Sequence, residues 1–295
     1  MCRITVFTPT YNRAHIILRL YNSLRQQSYR NFEWLVIDDG SNDGTEKIFE
    51  KIKTEKKNFE IRYYKFNNSG KHKEINRALD LARGSLFFVV DSDDILTSDA
   101  LLLIDKWVKS LPKDKKYCGI AGNDGDLFKN PTNKMFKNGF KDASFFDRDP
   151  NSKSFIGYDR PWVLFTDVHK KYKYPEFQNE NFITEAVVWN RMAADGYIIR
   201  CFNDVIYLRE HQAMGLTDTI NEVLIHNPKG YGLWIKEMIV FYNYGLRKKI
   251  TCYYSFYCDL NKFYQIKEIT KFIDTKLIFM IFIDIIYKFK HRREI

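Results

Sequence analysis

The sequence predicts an α/β fold with a three-layer, mostly parallel, Rossmann-like sheet and a helical C-terminal extension. Two observations support this prediction. Within the first 110 residues, apolar runs typical of buried strands alternate four times with segments of helical periodicity. After residue 219 no strand signal remains, and residues 230–295 are helical in pattern, aromatic and basic. Because parallel strands need crossover helices, the alternation favours a sheet covered by helices on both faces.

The first four βα units supply the predicted elements of the sheet. Strands are expected at 4–7, 32–37, 61–66 and 85–90, and helices at 14–27, 45–52, 73–82 and 98–111. We expect Thr45 and Ser98 to cap the second and fourth helices and Gly84 to end the third.

The pattern changes after Pro112. Residues 112–181 are rich in Asn, Lys, Gly and Phe, which favours loops and edge strands, with one strand near 162–166. A helix is predicted at 185–194 and a strand at 204–208.

Composition limits the class of protein. With 295 residues, 45% of them hydrophobic, the chain can bury a substantial core, which excludes a disordered or fibrous protein. The net charge of +10 favours an anionic partner, and residues 246–295 hold eleven Lys and Arg against five Asp and Glu. The five scattered cysteines favour neither a disulfide framework nor a zinc site. No secretory signal or apolar run of about 20 residues is present, so a cytoplasmic location without a membrane span is expected.

Three polar segments follow predicted strands. They are TPTYNR at 8–13, DDGSNDG at 38–44 and DSDD at 91–94. Ligands of parallel α/β sheets bind outside the carboxyl ends of the strands, so these segments mark the expected site. Neither GxGxxG nor GxxxxGK[ST] occurs, which disfavours dinucleotide and P-loop phosphate binding.

The DSDD segment predicts a divalent metal. Crowded carboxylates repel one another and are stable mainly around a cation, and Mg²⁺ or Mn²⁺ commonly takes one or two carboxylates plus substrate phosphates. The alternative is that Asp93 and Asp94 only solvate a turn before the next helix. Taken alone, the segment leaves both interpretations open.

The three motifs, in this order and spacing, resemble the family 2 glycosyltransferases, which have the GT-A fold. The resemblance is dense over the first 110 residues and weaker over 180–217. It implies an inverting, metal-dependent hexosyl- or N-acetylhexosaminyl-type transferase that moves a sugar from a nucleotide-sugar, usually a UDP-sugar, to an acceptor hydroxyl. It also implies a catalytic domain at 1–219, with a nucleotide-binding half at 1–110 and an acceptor-binding half at 111–219, before a helical region at 220–295.

The resemblance assigns nucleotide-binding and metal-binding roles to residues of these motifs. The implied nucleotide contacts are Pro9, Tyr11, Arg13, Asp39, Lys71, Asp91 and Ser92. Within the DxD match, Asp91 and Asp93 are the implied metal ligands, for Mn²⁺ or Mg²⁺. The alternatives are an aromatic packed on the first helix for Tyr11, a turn cap for Asp38 and a solvated surface lysine for Lys71.

Glu185 occupies the position of the family's catalytic base. The family uses a Glu-Asp pair at a helix start, which here becomes Thr184-Glu185, four residues before Trp189. An inverting transfer needs such a base to accept the proton of the acceptor hydroxyl. The alternative is an acid that only stabilises the helix dipole. Further along, Arg209 and His211 resemble a family loop that contacts the diphosphate when the site closes.

The C-terminal segment from Lys276, with an apolar block and a basic end, suits a helix on the inner face of an anionic membrane. Packing on the catalytic domain or on another protomer is the equal alternative, so oligomeric state stays open. The leading hypothesis is a transferase of bacterial-type surface polysaccharide or glycolipid synthesis, with a glycan or lipid-linked acceptor. The alternatives are a catalytically silent nucleotide-sugar-binding subunit and a nucleotidyltransferase. Nucleic-acid binding is disfavoured, because the positive excess lies in an apolar tail.

Overall fold

The computed structural model describes residues 3–210 and 216–291. The described chain forms two units. The first comprises residues 3–173 and 195–210, and the second comprises residues 174–194 and 216–291. The expected domain division at residue 219 stays a prediction.

The first unit is an α/β structure, which confirms the predicted fold class. Its strands are β1 (Ile4–Thr10), β2 (Phe32–Asp38), β3 (Glu60–Lys65), β4 (Leu86–Val89), β5 (Ile95–Leu96), β6 (Tyr117–Gly125), β7 (Phe140–Ala143), β8 (Trp162–Phe165) and β9 (Ile198–Leu208). Its α-helices are α1 (Ile17–Arg25), α2 (Thr45–Thr54), α3 (Lys71–Leu81), α4 (Ala100–Lys109) and the short α5 (Thr166–His169). A 3₁₀ turn spans Phe145–Arg148.

The strands form one sheet in the order β3-β2-β1-β4-β8-β6-β9-β5, and β7 also pairs with β9. The strands β3, β2, β1 and β4 are parallel, as predicted. The other half is mixed, since β8 runs antiparallel to both β4 and β6 while β6 and β9 are parallel. The carboxyl ends of β1, β2 and β4 therefore share one edge of the sheet.

The core explains why these segments are strands. Every residue of β2 is buried, and side chains of β1, β2 and β4 pack with α1, α2 and α4 in one apolar cluster. The Trp34 indole is fully buried and donates its N–H to Thr8 Oγ1 at 3.0 Å, so its polar atom is satisfied inside the core.

Two predicted helix caps are wrong. Thr45 is the first residue of α2 rather than its cap; the cap position is Gly44, at φ +94°, and the Thr45 hydroxyl donates to Asp43. The cap position of α4 is Asp99, one residue after Ser98, and its side chain makes no capping bond. In both cases a neighbouring residue takes the first position outside the helix.

Strand β6 was not predicted, because its region was interpreted as loops and edge strands. All nine of its residues are buried, and it lies between β8 and β9. Its glycines hide the strand pattern but are needed for close packing. A Cβ on Gly119 would lie 2.1 Å from the Val163 carbonyl oxygen.

The second unit is helical, as predicted for the C-terminal region. Its helices are α6 (Ala186–Ala194), α7 (Leu216–His226), α8 (Pro228–Phe241), α9 (Leu246–Leu260), α10 (Ile266–Phe272) and α11 (Leu277–His291). The buried Glu180 carboxylate accepts the backbone N–H groups of Lys229 and Gly230, both at 2.8 Å, and so ties residues 174–194 to the start of α8. Within the described residues, no helix combines the length and apolarity needed to cross a membrane.

Candidate active site

The loop after β1 presents an exposed aromatic ring. Pro9 is half-buried in the strand, and Tyr11, directly after it, has 48% of its surface exposed. The loop is fixed to the loop after β2, because the Asn12 N–H donates to Ser41 Oγ at 2.8 Å and the Asn42 N–H donates to Asn12 Oδ1 at 2.9 Å. The loop that carries Tyr11 is therefore held in position, and the exposed ring is open to a stacking partner.

Asp39 follows β2 and fixes the loop before α3. Its two carboxylate oxygens accept the Ser69 N–H at 2.7 Å and the Gly70 N–H at 2.9 Å. A carboxylate has acceptor sites beyond these two, so a nucleobase N–H can still bind. The neighbouring Asp38 is buried and accepts the Ser41 N–H at 2.7 Å, which is the turn-capping arrangement given as its alternative.

Glu74 lies in the first turn of α3 and was not singled out from the sequence. Its side chain is fully buried, accepts the Ser69 hydroxyl at 2.9 Å and pairs with Arg77. Burial, with a smaller contribution from the Asp39 carboxylate, raises the pKa of Glu74 to about 7. An acid in a helix's first turn looks like an ordinary dipole partner, so no sequence signal indicates this network.

Two ion pairs connect the DSDD segment to basic residues of other loops. Lys71 Nζ lies 2.9 Å from Asp91 Oδ1, and a guanidinium nitrogen of Arg13 lies 3.7 Å from Asp93 Oδ2. Burial acts to raise the pKa of Asp91, but Lys71, Arg209 and Arg13 hold it below its usual range. The structure thus brings predicted residues from three separate loops together at one sheet edge.

Tyr207 orders the DSDD segment from β9. The Asp91 N–H donates to the Tyr207 hydroxyl oxygen at 3.0 Å. Burial and the charges of Asp91 and Asp93 raise the pKa of Asp94 to about 7, although the Tyr207 hydroxyl acts to lower it. Ser92 is buried between these acids. Sequence reasoning missed Tyr207, whose only signal was an aromatic residue near the end of a predicted strand.

The donor atoms here fit a metal completed by substrate. Across residues 3–210 and 216–291, no group of three or more His, Cys, Asp or Glu side chains is arranged to hold an ion. Asp91 and Asp93 offer two partly exposed carboxylates, which is the number that Mg²⁺ commonly takes from a protein when phosphates and water complete its shell. Repulsion among the acids, which contributes to the raised pKa of Asp94, is what a divalent cation would relieve.

Arg209 is held in place by acids of the first unit. One of its terminal nitrogens donates to Asp159 Oδ2 at 3.0 Å, and its Nε lies 3.5 Å from Asp124 Oδ2. Its positive charge acts to lower the pKa of Asp91 and that of Asp94. The predicted contact with a diphosphate stays a prediction. His211 lies outside the described residues.

Glu185 belongs to the second unit. It precedes α6 by one residue, is half-buried, and its carbonyl oxygen accepts the N–H groups of Val188 and Trp189 at 3.1 and 3.2 Å. The helix start that the sequence predicted is therefore present, and the role of the carboxylate as a base stays a prediction.

Known proteins share sequence with this chain. The model of the family described as "Glycosyl transferase family 2" matches residues 5–173. Poly(ribitol-phosphate) beta-N-acetylglucosaminyltransferase TarS of Staphylococcus aureus is 38% identical over 103 residues, which are 34% of this chain and 18% of TarS. GalNAc(5)-diNAcBac-PP-undecaprenol beta-1,3-glucosyltransferase of Campylobacter jejuni is 28% identical over 199 residues, which are 64% of this chain and 59% of that enzyme. The matches thus span less than two thirds of these curated relatives.

Solved structures confirm the predicted GT-A fold. The crystal structure of S. aureus TarS 1-349 in complex with UDP-GlcNAc matches with a TM-score of 0.60 at 20% identity, over 88% of this chain and 81% of that one. The mannosyltransferase PcManGT from Pyrobaculum calidifontis, in complex with GDP-Man and Mn²⁺, matches with a TM-score of 0.55 at 18% identity, over 81% of this chain and 64% of that one.

Proposed function

This chain belongs to glycosyl transferase family 2, and we propose that it transfers a sugar from a nucleotide-sugar to an acceptor hydroxyl with inversion at the anomeric carbon. The preferred donor is a UDP-sugar carrying a hexosyl or N-acetylhexosaminyl group. The observation that carries the proposal is the pairing of Lys71 with Asp91 and of Arg13 with Asp93 at the edge where β1, β2 and β4 end. These groups suit a nucleoside diphosphate and its metal.

The base and the diphosphate of the donor have matching groups in the first unit. Tyr11 stacks on the pyrimidine, and Asp39 accepts its imide N–H in a charge-assisted bond. Lys71 and Arg13 lie beside the carboxylates, so an arriving diphosphate competes for both cations. That exchange leaves Asp91 and Asp93 with unpaired negative charge at the moment the donor binds.

Asp91 and Asp93 are the residues that would hold Mn²⁺ or Mg²⁺. The ion, when bound, supplies Lewis-acid neutralisation of the departing nucleoside diphosphate. The protein contributes the positions of the two carboxylates, which Tyr207 fixes by accepting the Asp91 N–H. Arg209 adds positive charge nearby.

Glu185 acts as the general base in this proposal. Its carboxylate would accept the proton of the acceptor hydroxyl as the oxygen attacks the anomeric carbon opposite the leaving group. The half-buried position at the start of α6 supports this role, because partial burial keeps the carboxylate out of bulk water while leaving it reachable.

We assign the acceptor to a bacterial-type surface polysaccharide or glycolipid. The supporting observation is that relatives from S. aureus and C. jejuni are named for poly(ribitol-phosphate) and for an undecaprenol-linked glycan. For this chain the acceptor class stays a proposal.

The test combines donor binding with turnover. A panel of UDP-, GDP- and dTDP-sugars with Mn²⁺ is screened by thermal stabilisation, since a ligand that binds only the native state raises the melting point. With a donor that binds, and an acceptor panel, Glu185→Gln should lower kcat by about 10²–10⁴-fold, and Asp93→Asn or EDTA should abolish most turnover. Glu222→Gln and Asp114→Asn, at exposed positions, are matched controls.

The outcomes separate the alternatives. Binding of a nucleotide-sugar without transfer or hydrolysis across the panel indicates a silent binding subunit. Release of pyrophosphate from a nucleoside triphosphate indicates a nucleotidyltransferase. Full turnover by both active-site variants contradicts the roles given to Glu185 and Asp93.

We also propose that α11 attaches the enzyme to an anionic membrane surface. Its buried residues Met280 and Ile283 pack in the helical core. Its other face exposes a stripe of large apolar side chains, which comprises Ile278, Ile281, Phe282, Ile285 and Phe289. Exposed lysines at both ends of the helix suit anionic lipid headgroups.

A further inference from the structure

A cavity of about 480 Å³ opens in the first unit, among residues 134–155. None of the residues of the candidate donor site lines it. The cavity has four lysines and three phenylalanines in its wall and contains no acidic residue. The lining residues are Lys134, Met135, Phe136, Lys137, Asn138, Phe140, Lys141, Ser152, Lys153 and Phe155.

The lysines of this cavity carry charge that no nearby acid neutralises. Lys134, Lys137 and Lys153 are exposed and have no ion pair with a carboxylate of the described chain. Lys141 is half-buried and donates to the Ser154 carbonyl at 3.0 Å. Of the acids near the wall, Asp142 is paired with Arg200 and Lys115, and Asp147 accepts the Ser152 hydroxyl at 2.7 Å.

A fifth cation lies behind the cavity wall. The Arg160 side chain is 1% exposed and donates only to backbone carbonyls, including that of Lys134 at 3.2 Å and that of Ile156 at 2.6 Å. Its guanidinium also stacks on the Phe136 ring at 4.8 Å. Because no carboxylate contacts it, Arg160 adds positive potential to the wall.

The aromatic wall is fixed before any ligand arrives. Phe136 exchanges two hydrogen bonds with the Asn203 side chain, both 2.7 Å long. Phe140 lies on β7 and packs against the Arg200 guanidinium at 4.3 Å. Rigid rings rimmed by free ammonium groups are suited to a ligand with an apolar face and repeated negative charges.

The cavity adjoins residues that position Arg209. Asn133, next to Lys134, donates to Asp124 Oδ1 at 2.5 Å and to the Asp159 carbonyl at 3.0 Å. Arg209 pairs with these same two aspartates. A chain bound in the cavity would therefore lie beside the segment that leads to the donor site.

We propose that this cavity is a subsite for an anionic acceptor glycan, a polymer of sugar or polyol units that carries phosphate or carboxylate groups. The lysines bind the anionic groups and the phenylalanine rings contact the sugar or polyol. The volume is that of a small-molecule site, which one or two such units fill. The proposal rests on the proposed glycosyl transfer and adds that the acceptor is charged.

The test compares a variant that lacks three cavity lysines with a control that lacks three lysines elsewhere in the first unit. The variant K134A/K137A/K153A keeps Lys141, whose bond to Ser154 belongs to the fold. The control K113A/K170A/K171A removes three exposed lysines of the same unit that lie outside the cavity. Binding of fluorescent oligomers is measured by anisotropy at low and high salt, with poly(glycerol phosphate), oligogalacturonate and neutral dextran as probes.

We expect the cavity variant to bind one of the anionic probes about tenfold more weakly than the native protein does. This estimate assigns about a factor of two in affinity to each of the three exposed ion pairs. The control should bind as the native protein does. The probe whose binding is weakened shows whether the anionic group of the ligand is a phosphate or a carboxylate. Equal binding by the two variants, or binding of neutral dextran as tight as that of the anionic probes, would overturn the subsite.

UDP-GlcNAc binding is measured in the same samples to separate the two proposals. Donor binding without any charged-glycan binding overturns the subsite and leaves the proposed function standing. Cavity-dependent glycan binding by a protein that binds no nucleotide-sugar supports the subsite and contradicts the proposed function.

Discussion

At the scale of single residues, the proposed donor site is a set of opposite charges held together by backbone hydrogen bonds. Asp39 holds the Ser69–Gly70 loop through two N–H groups, and the next residue, Lys71, pairs with Asp91. Asp39 is therefore also a positioning residue for Lys71. A change at Asp39 is expected to affect the phosphate end of the donor as well as its base.

Tyr207 offers a test of how the DSDD segment is ordered. Tyr207→Phe removes the hydroxyl that accepts the Asp91 N–H. We expect UDP to bind with Mn²⁺ about fivefold more weakly, because a hydrogen bond of this kind contributes about 1 kcal/mol. Calorimetric titration with UDP and Mn²⁺ measures the change.

Tyr197→Phe is the matched control, since Tyr197 lies in the same unit, before β9, and contacts Lys116 and Tyr172 through its ring. An unchanged dissociation constant for the Tyr207 variant would mean that the hydroxyl does not order the carboxylates proposed to bind the metal.

Glu74 predicts a pH dependence of stability. Its pKa of about 7 in the folded chain exceeds the ordinary 4.5, so the folded state holds a proton that the unfolded state has already released. The stability contributed by Glu74, relative to Glu74→Gln, is therefore fully present below about pH 4.5 and is lost as the pH rises to 7. One proton over that window corresponds to about 3 kcal/mol.

Denaturant unfolding of the native chain and of Glu74→Gln between pH 4 and 8 measures this difference. Glu50→Gln, at an exposed position of α2, controls for the loss of one carboxylate. A difference between native and Glu74→Gln chains that does not change with pH would show that Glu74 is ionised in the folded state across the range.

The sequence proposes site residues that stand in motifs and misses those that act through tertiary contacts. Tyr11, Arg13, Asp91 and Asp93 stand in short ordered motifs, so spacing alone predicts that they meet. Tyr207 reaches Asp91 from 116 positions along the chain. Such a bond depends on strand order, which periodicity does not encode.

At the scale of elements, α11 separates its two faces clearly. The sequence left open whether this helix packs or binds lipid. Met280 and Ile283 pack inside the second unit, while Ile278 and Phe289 are 77% and 76% exposed. Packing and lipid binding thus use different faces of one helix.

The exposed face of α11 can be tested with vesicles. The variant I278E/I285E puts two charges into the apolar stripe. Each charge disfavours burial in the apolar part of the membrane by more than about 1 kcal/mol. We therefore expect at least a tenfold loss of binding to vesicles of phosphatidylcholine and phosphatidylglycerol. Co-sedimentation measures binding. Val240→Glu, at an equally exposed apolar position of α8, is the control.

Equal co-sedimentation of the variant and the control would contradict lipid binding by α11. Loss of a dimer in light scattering, with no vesicle binding by the native protein, would instead assign the stripe to contact between two copies.

The elements also show why β6 escaped prediction. Periodicity identifies strands with apolar side chains, and β6 contains Gly119, Gly122, Asn123 and Asp124. The close approach of the neighbouring strands decides which residues β6 can contain. A Cβ on Gly122 would lie 2.5 Å from an Ile206 side-chain atom on β9. The neighbouring strands leave room only for small residues at these positions of β6. A single sequence does not reveal this requirement.

At the scale of the whole molecule, the predicted donor contacts all belong to the first unit and Glu185 belongs to the second. The sequence predicted the α/β half and the helical end. It did not predict that residues 174–194 group with the C-terminal helices. Their attachment depends on Glu180 and on Asn227, whose amide oxygen accepts the N–H groups of Asn181 and Phe182.

This division predicts separable effects on stability and on donor binding. A Cβ at Gly232 would lie 2.4 Å from the Phe272 carbonyl oxygen, so Gly232→Ala forces α8 away from the C-terminal end of α10. We expect the second unit to lose about 1–3 kcal/mol. UDP binding with Mn²⁺ at low temperature should persist, because the residues proposed to bind the nucleotide lie in the first unit.

Calorimetry and titration on the same samples measure both effects. Gly245→Ala is the control, since a Cβ there meets nothing within 4 Å. A loss of nucleotide affinity as large as the loss of stability would show that the two units do not act separately in donor binding.

The position of β9 in the sheet has a consequence for synthesis on the ribosome. Strand β6 is made first, but its parallel partner β9 emerges only after residues 174–194, which belong to the other unit. At about 5–20 residues per second, the nascent chain spends several seconds with one edge of β6 lacking that partner. An unpaired edge of this kind invites aggregation, so slow translation across this stretch should lower the yield of folded enzyme and make it depend on chaperones.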